Sequence, residues 1–398
     1  MDIFYLASVC AQNRFDALFL QGKITKMPQA QKYHHLLLEG LRKVSFDKIS
    51  VISSYPVNSE KLLYKEELEI ESGITYMYPG FIHIPLLRQL MIIFNTLCLL
   101  IKSNVAKSGV IVCDVLNGSV CLAARIYRLF SGVKIIGIVT DVPGFTSGAR
   151  SKLLPYWKRK VREFMSRINK RSLARYDGYL FLTQAMNEVV NLRKKPYIVI
   201  EGHSDSNMAN YPNNISEKTE KPVMMYAGGT HKEFGIAMLV DAFISLNDPN
   251  WEFHVYGDGN YQNELKEISS KHSNIKYFGL RPNSEIIESQ THAWLLVNPR
   301  ITDAEYVKYS FPSKTLECMA SGTPLLSTRL PGMPKDYFEY LYLFSGETTD
   351  EFKDVLSNVF MVSLHELHNK GELAKNFALN CKNNISQAQK LYMFLSKL

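Results

Sequence analysis

The chain has 398 residues, 46% of them hydrophobic, which excludes a disordered protein and suffices for two domain cores. Six scattered cysteines (Cys10, Cys98, Cys113, Cys121, Cys318, Cys381) lack any Cys-x-x-Cys pair, which argues against a disulfide framework or a cysteine metal site and for a reducing compartment. The net charge of +8 is split unevenly: residues 1–205 hold 28 basic and 16 acidic side chains, residues 206–398 hold 18 and 22, so the first half is expected to face something anionic.

Apolar runs alternate with helical patterns along the chain, the signature of parallel α/β units. Met1-Asp2 leads straight into a strand-like run, so no secretory leader is expected. Strands are expected at 3–8, 49–53, 110–114, 134–139, 178–183 and 197–201, with helices between them that include 31–41 and 119–129. Residues 86–101 are the most membrane-like run, but they are short for a span and contain Arg88; a buried or interfacial helix is expected.

Residues 151–176 carry nine basic side chains and one acidic one, Glu163. Trp157, Val161, Phe164, Met165 and Ile168 fall on one helical face. An anionic membrane surface suits that combination, with Trp157, Lys158, Arg159, Lys160 and Arg162 as the contact residues. The competing reading is a helix that packs its stripe inward and solvates its charges. No recognition-helix or RNA-binding pattern accompanies the charge, so nucleic acid is not expected.

Residues 206–222 are polar, rich in Asn and Pro and without periodicity, which marks a linker. The α/β pattern then restarts, with strands at 223–227, 252–256, 275–278, 293–297 and 341–344. Helices are expected at 235–246, 262–271, 284–290 and from 349 onward. The expected domains are thus 1–205, the linker 206–222, and 223–375, with 376–398 a helix that crosses back to the first domain. Ligands of doubly wound sheets bind beyond the carboxyl ends of the strands, so the loops after strands matter most.

The stretch 309–334, YSFPSKTLECMASGTPLLSTRLPGMP, reads as loop, helix, strand and loop. Ser313 can cap the helix and Gly322 can end it. A helix that opens at the carboxyl edge of a parallel sheet attracts phosphate through its free N–H groups and dipole. Glu317, one turn in, can accept hydrogen bonds from the hydroxyls of a ribose. Ser313, Lys314, Thr315, Leu316 and Glu317 are therefore the candidate nucleotide-diphosphate site. A helix–strand unit of some other α/β protein is the bland alternative.

This block resembles the nucleotide-sugar segment of the family-4 retaining glycosyltransferases. The resemblance implies a GT-B fold: α/β, with two Rossmann-like doubly wound parallel-sheet domains facing across a cleft, the first binding acceptor and the second the donor. Glu317 matches the family's second Glu, which holds the ribose; Tyr309 stands where its first Glu is usual. A subset of the family carries Phe-Pro-Ser-Lys here, as residues 311–314 do. The family's Gly-Arg and Glu-Lys-Gly appear as Gly228-Gly229, with Phe234 in place of the Lys. Lys232 or Arg300 could supply the missing cation, although a solvent-facing Lys232 is equally compatible. Similarity continues in the loops of Gly257 and Arg281. Many members of that family have a His near Asp141, close to the donor sugar; Asp141 is a candidate to orient the acceptor hydroxyl or the donor sugar, unless it merely makes a turn before Pro143. Glu201 and His203 lie after the last strand of the first domain, on its cleft side, His203 being readable as a satisfied loop histidine.

The implied activity is glycosyl transfer, with retention, from a nucleotide diphosphate sugar, a UDP-sugar by preference, to a hydroxyl of a lipid-linked or saccharide acceptor. Capsule, exopolysaccharide or O-antigen synthesis is the expected setting. The location would be cytoplasmic, peripheral on the inner face of the cell membrane. No tightly bound cofactor and no metal are expected; His365 and His368, at i, i+3, find no further ligand pattern. Two other classes stay open. One is a catalytically silent partner subunit, to which Tyr309, Gly229 and Phe234 point; the other is a transferase acting on a soluble sugar.

Overall fold

The structure, a computed structural model, describes residues 1–23, 28–54, 62–84, 86–105, 109–142, 160 and 171–398. The chain divides into two compact units: Met1–His203 with Asn384–Leu398, and Ser204–Asn383.

The first unit contains β1 (Ile3–Ala7), β2 (Ile49–Ser53), β3 (Leu63–Tyr64), β4 (Glu67–Glu71), β5 (Ile74–Tyr78), β6 (Phe81–Ile82), β7 (Val110–Asp114), β8 (Lys134–Val139), β9 (Gly178–Phe181) and β10 (Tyr197–Val199). Eight of them form one sheet in the order β10-β9-β8-β7-β1-β2-β5-β4, parallel apart from β4. The central strands are buried along their whole length, which is why they read as continuous apolar runs and not as alternating ones. β4 and β5 were not expected. They form a hairpin closed by Ser72 and Gly73, both at positive φ, the geometry of a type I′ turn. The last helix, Asn384–Leu395, packs in this unit: Asn384 Nδ2 donates to Leu36 O (3.2 Å) and the Tyr392 hydroxyl to Asp47 Oδ2 (2.8 Å).

The second unit has β11 (Val223–Ala227), β12 (Glu252–Tyr256), β13 (Ile275–Gly279), β14 (Leu295–Asn298), β15 (Leu325–Ser327) and β16 (Tyr342–Leu343). They form an all-parallel sheet in the order β13-β12-β11-β14-β15-β16. This is the doubly wound order, whose direction reverses between β11 and β14. One apolar layer, including Phe243, Phe253 and Phe352, fills one side of the sheet; another, including Leu316, Met319 and Tyr337, fills the other.

Residues 206–222, expected as a linker, are packed into this unit. Two of their polar side chains, Asn213 and Lys218, are buried against oxygens that precede β14 and β15, while most of the others are exposed. Asn213 Nδ2 donates to Ser321 O (2.8 Å), and Lys218 Nζ to Thr291 O, Ala293 O and Thr323 Oγ1, at 2.8 Å each. Burial pushes the Lys218 amine down to about 7.

Among the described residues, no helix is long and apolar enough to cross a membrane. Trp157, Lys158, Arg159 and Arg162, expected at a membrane, lie outside the described residues; Lys160 is exposed.

Candidate functional site

The order reversal between β11 and β14 brings three segments together at the carboxyl edge of the second sheet: the loop after β11, the loop after β14, and the start of helix Ser313–Ser321. The backbones of the two loops touch. Gly235 (φ +82°) starts helix Ile236–Leu246, and a Cβ on it would overlap the carbonyl of Pro299 in the loop after β14. Gly257 (φ +120°) follows β12, and a Cβ there would overlap the carbonyl of Gly228. No other residue tolerates that φ together with that approach. The Tyr226 hydroxyl donates to Gly229 O (2.8 Å) and the Tyr277 hydroxyl to Gly257 O (2.7 Å), so two tyrosines brace the glycine loops from below. Neither was singled out from the sequence.

The amine beside this turn belongs to Lys314. Its Nζ donates to Ala227 O (3.3 Å) and lies 2.9 Å from where a Cβ on Gly228 would stand. Burial holds the amine below the usual lysine range, and the Glu317 carboxylate partly offsets the effect. A cation is thus desolvated at the mouth of a helix and at the point of order reversal. Such an amine gains most from an anionic ligand.

Helix Ser313–Ser321 itself begins without the side-chain cap expected of Ser313. Its N-cap is Pro312, with no side-chain hydrogen bond, and Ser313 is exposed. Proline can only present its carbonyl, which accepts from the Thr315 amide (2.9 Å); the Ser313 and Lys314 amides precede the intrahelical ladder. Gly322 ends the helix in the left-handed region, as expected. Leu316 is core; Thr315 is fully buried, with its Oγ1 unpartnered. Glu317 stands one turn in, half-buried. Arg300 follows β14. Its Nη2 lies 3.5 Å from Ser310 Oγ, its guanidinium stands over the Tyr306 ring, and its buried Nε has no acceptor among the described residues. Asn298 Nδ2, at the end of β14, is likewise buried without an acceptor. Three buried polar atoms without a partner among the described residues, Asn298 Nδ2, Arg300 Nε and Thr315 Oγ1, therefore accompany Lys314 in these segments.

Other expected residues fall elsewhere. Lys232 is turned outward: its Nζ pairs with Glu264 Oε1 (2.8 Å) and lies over the Tyr261 ring. Glu264, on helix Gln262–Lys271, captures the amine, so the cation beside Gly228 is not this one. Tyr309 is buried under Lys308, whose Nζ lies 4.9 Å from its ring centre. Arg281 is exposed on the loop after β13.

In the first unit, Asp141 follows β8 at the carboxyl edge and is half-buried. Glu201 is buried against Gln387 Nε2 (3.4 Å). His203 is buried too; its Nε2 meets Tyr33 O (2.9 Å) and its ring lies on that of Tyr33. Burial pushes it down to about 4, so it is neutral at pH 7. A polar chain missed in the sequence lines this edge. Ser8 Oγ donates to Ser54 O (3.5 Å) and Ser54 Oγ to Asn117 Oδ1 (3.3 Å). Asn117 Nδ2 reaches Asp114 Oδ2 (3.3 Å), and that oxygen also faces His34 Nε2 (3.4 Å).

Residues 221–360 match the family model of the glycosyl transferases group 1. No curated protein matches. Among solved structures, the chain is similar over its whole length to sucrose-phosphate synthase from Thermosynechococcus elongatus (12% identity, 99% of that chain, TM-score 0.67). It is similar to the apo form of the lipopolysaccharide outer core galactosyltransferase WaaB (15% identity, 100% of each chain, TM-score 0.61). It also resembles Anabaena Alr3699/HepE in complex with UDP (14% identity, 100% of each chain, TM-score 0.66). The fold is GT-B, and the group 1 domain together with these neighbours supports a transferase.

Proposed function

We propose that the chain transfers a glycosyl group, with retention, from a UDP-sugar to an acceptor hydroxyl. The observation that carries this reading is the desolvated Lys314 amine over the Gly228 turn, at the opening of helix Ser313–Ser321. Lys314 and Arg300 hold the diphosphate, the first amides of the helix receive its remaining oxygens, and Glu317 accepts hydrogen bonds from the ribose hydroxyls. The bond from the anomeric carbon to the diphosphate oxygen breaks as the acceptor oxygen bonds to that carbon. The acceptor's proton passes to the departing diphosphate. The chain's task is to stabilise that leaving group, which a preorganised cation and helix start do without reorganising. Asp141 orients the acceptor hydroxyl. The uracil base is supported by the neighbour in complex with UDP.

The acceptor is a lipid-linked saccharide of capsule, exopolysaccharide or O-antigen synthesis, a reading supported by the basic first half of the chain and by the likeness to a lipopolysaccharide galactosyltransferase. A sugar-phosphate acceptor is the second reading, favoured by the likeness to sucrose-phosphate synthase.

A melting-temperature screen against nucleotide sugars tests the donor. A ligand at 100 times its Kd stabilises by about 2.7 kcal/mol. UDP-sugars should raise the melting temperature most, and Glu317→Ala should abolish the rise. If no nucleotide sugar shifts the transition, the donor reading fails. Turnover of a water-soluble sugar phosphate in place of a lipid-linked acceptor would decide for the second reading.

A further inference from the structure

The first unit contains a cavity of about 680 Å³ far from the polar chain of Ser8, Ser54 and Asn117. Its walls are the outer face of helix Gly118–Ser131, residues 171–176 just before β9, and residues 193–195 just before β10. It therefore lies towards the amino ends of the strands, the edge opposite the one where doubly wound sheets bind substrates.

Six cations line it: Arg125, Arg128, Arg171, Arg175, Arg193 and Lys195. No carboxylate is among the described lining residues. Arg128 is a strut, since its Nη2 pairs with Asp177 Oδ1 (2.8 Å) and its Nη1 donates to Arg175 O (2.7 Å). The other five meet no carboxylate among the described residues. The Nε of Arg125 is buried without an acceptor. Like charges gathered round one cavity repel each other, and an unsatisfied buried donor is costly; an anion relieves both. Arginine predominates, and its planar fork matches pairs of phosphate oxygens.

The walls also carry Leu122, Ile126 and Leu129. Leu129, the adjoining Phe130 and Leu192, next to Arg193, are 79%, 82% and 76% exposed. Free phosphate has no use for such side chains. A phospholipid, with its phosphate set above acyl chains, satisfies both halves of the surface. The one aromatic residue in the lining, Tyr176, is buried and offers no stacking face to a base.

We propose that this cavity binds the phosphate headgroup of an anionic phospholipid and so seats the first unit on a negatively charged bilayer. The site is independent of the donor site and stands or falls separately from it. Flotation of the full chain with vesicles tests it. Binding to phosphatidylcholine mixed with phosphatidylglycerol, weakening as salt is raised, is expected, with none to phosphatidylcholine alone. The variant Arg125→Gln/Arg171→Gln/Arg193→Gln should lose partitioning on the order of 100-fold while its melting temperature and its response to UDP-sugar stay those of the parent. Leu129→Ser/Leu192→Ser should weaken flotation and leave the salt dependence in place, which guards against misfolding of the charge variant. Equal flotation with both vesicles, or undiminished flotation of the charge variant, overturns the proposal. Stabilisation by inorganic phosphate that the charge variant loses, without any flotation of the parent, assigns the cavity to a free anion and overturns the lipid.

Discussion

Both units fold a sheet whose parallel strands reverse their order, between β1 and β7 in one and between β11 and β14 in the other. The carboxyl edges made by these two reversals are chemically unlike. In the second unit the loops are glycine backbones in mutual contact, accompanied by a desolvated lysine and by a guanidinium whose buried Nε lacks an acceptor among the described residues. In the first unit the same edge carries hydroxyl, amide and carboxylate side chains linked from Ser8 to Asp114. On the reading proposed above, one edge receives negative charge and the other exchanges hydrogen bonds with neutral polar groups. Topology thus fixes where a ligand can sit, and the residue types of a few loops fix which ligand it is.

The comparison breaks most readily at Lys314. If the second edge is an anion site, Lys314→Met should lower kcat/KM by roughly 10² to 10³, the usual cost of removing one charge from a preorganised site. The free protein should melt at the same temperature or slightly higher, because an amine that burial disfavours is gone. The pH dependence has two opposite signs. Because the folded amine titrates below the unfolded one, the unfolded chain binds the extra proton between the two values, and stability rises with pH through that window. Donor binding needs the charged amine and weakens through the same window. Melting temperatures with and without UDP-sugar across alkaline pH would show the two curves converging. Parallel curves would remove Lys314 from the donor site.

Much of this edge could be read in the sequence, and the missing parts share a cause. The strands after residue 222, the end of the helix at Gly322 and the placing of Lys314 and Glu317 on its first turns follow from local pattern. The β4–β5 hairpin did not, although Glu67–Glu71 alternates charged and apolar residues: β4 is an edge strand whose Leu68 and Ile70 are exposed, so its alternation marks no core face. The orientation of Lys232 was not local either. It depended on Glu264, on a helix some thirty residues from Lys232, which only the packing of that helix brings within reach. Ser8, Ser54 and Asn117 are single small residues after three separate strands. Nothing in their spacing marks them until β1, β2 and β7 lie side by side.

Gly257→Ala is the next test. It forces a side chain into the Gly228 carbonyl at a φ that L-residues avoid. Activity should fall by roughly 10 to 100-fold, with a loss of stability of about 2–3 kcal/mol. Urea unfolding monitored beside turnover measures both. A silent substitution would mean that the two loops can separate freely and that their contact has no part in shaping the site. Arg300→Lys should cost less, roughly tenfold in KM for the donor, since the charge stays while the planar fork is lost. Arg300→Ala should cost more than the lysine variant; equal effects would place the guanidinium away from the phosphates.

The smallest effect is expected at Lys232, and it is informative because the sequence alone left Lys232 open as the phosphate cation. Its ammonium is half-exposed and already paired with Glu264 at the surface. Exposed pairs of this kind contribute little to stability, and salt screens them further. Lys232→Ala should therefore change kcat/KM less than about twofold and the melting temperature by a degree or two at most. Glu264→Ala should match it, because neither partner faces the donor. If Lys232→Ala instead behaved like Lys314→Met, the ion pair would have to open when donor binds. The charge at this edge would then come from a loop that moves, not from a helix start that is already in place.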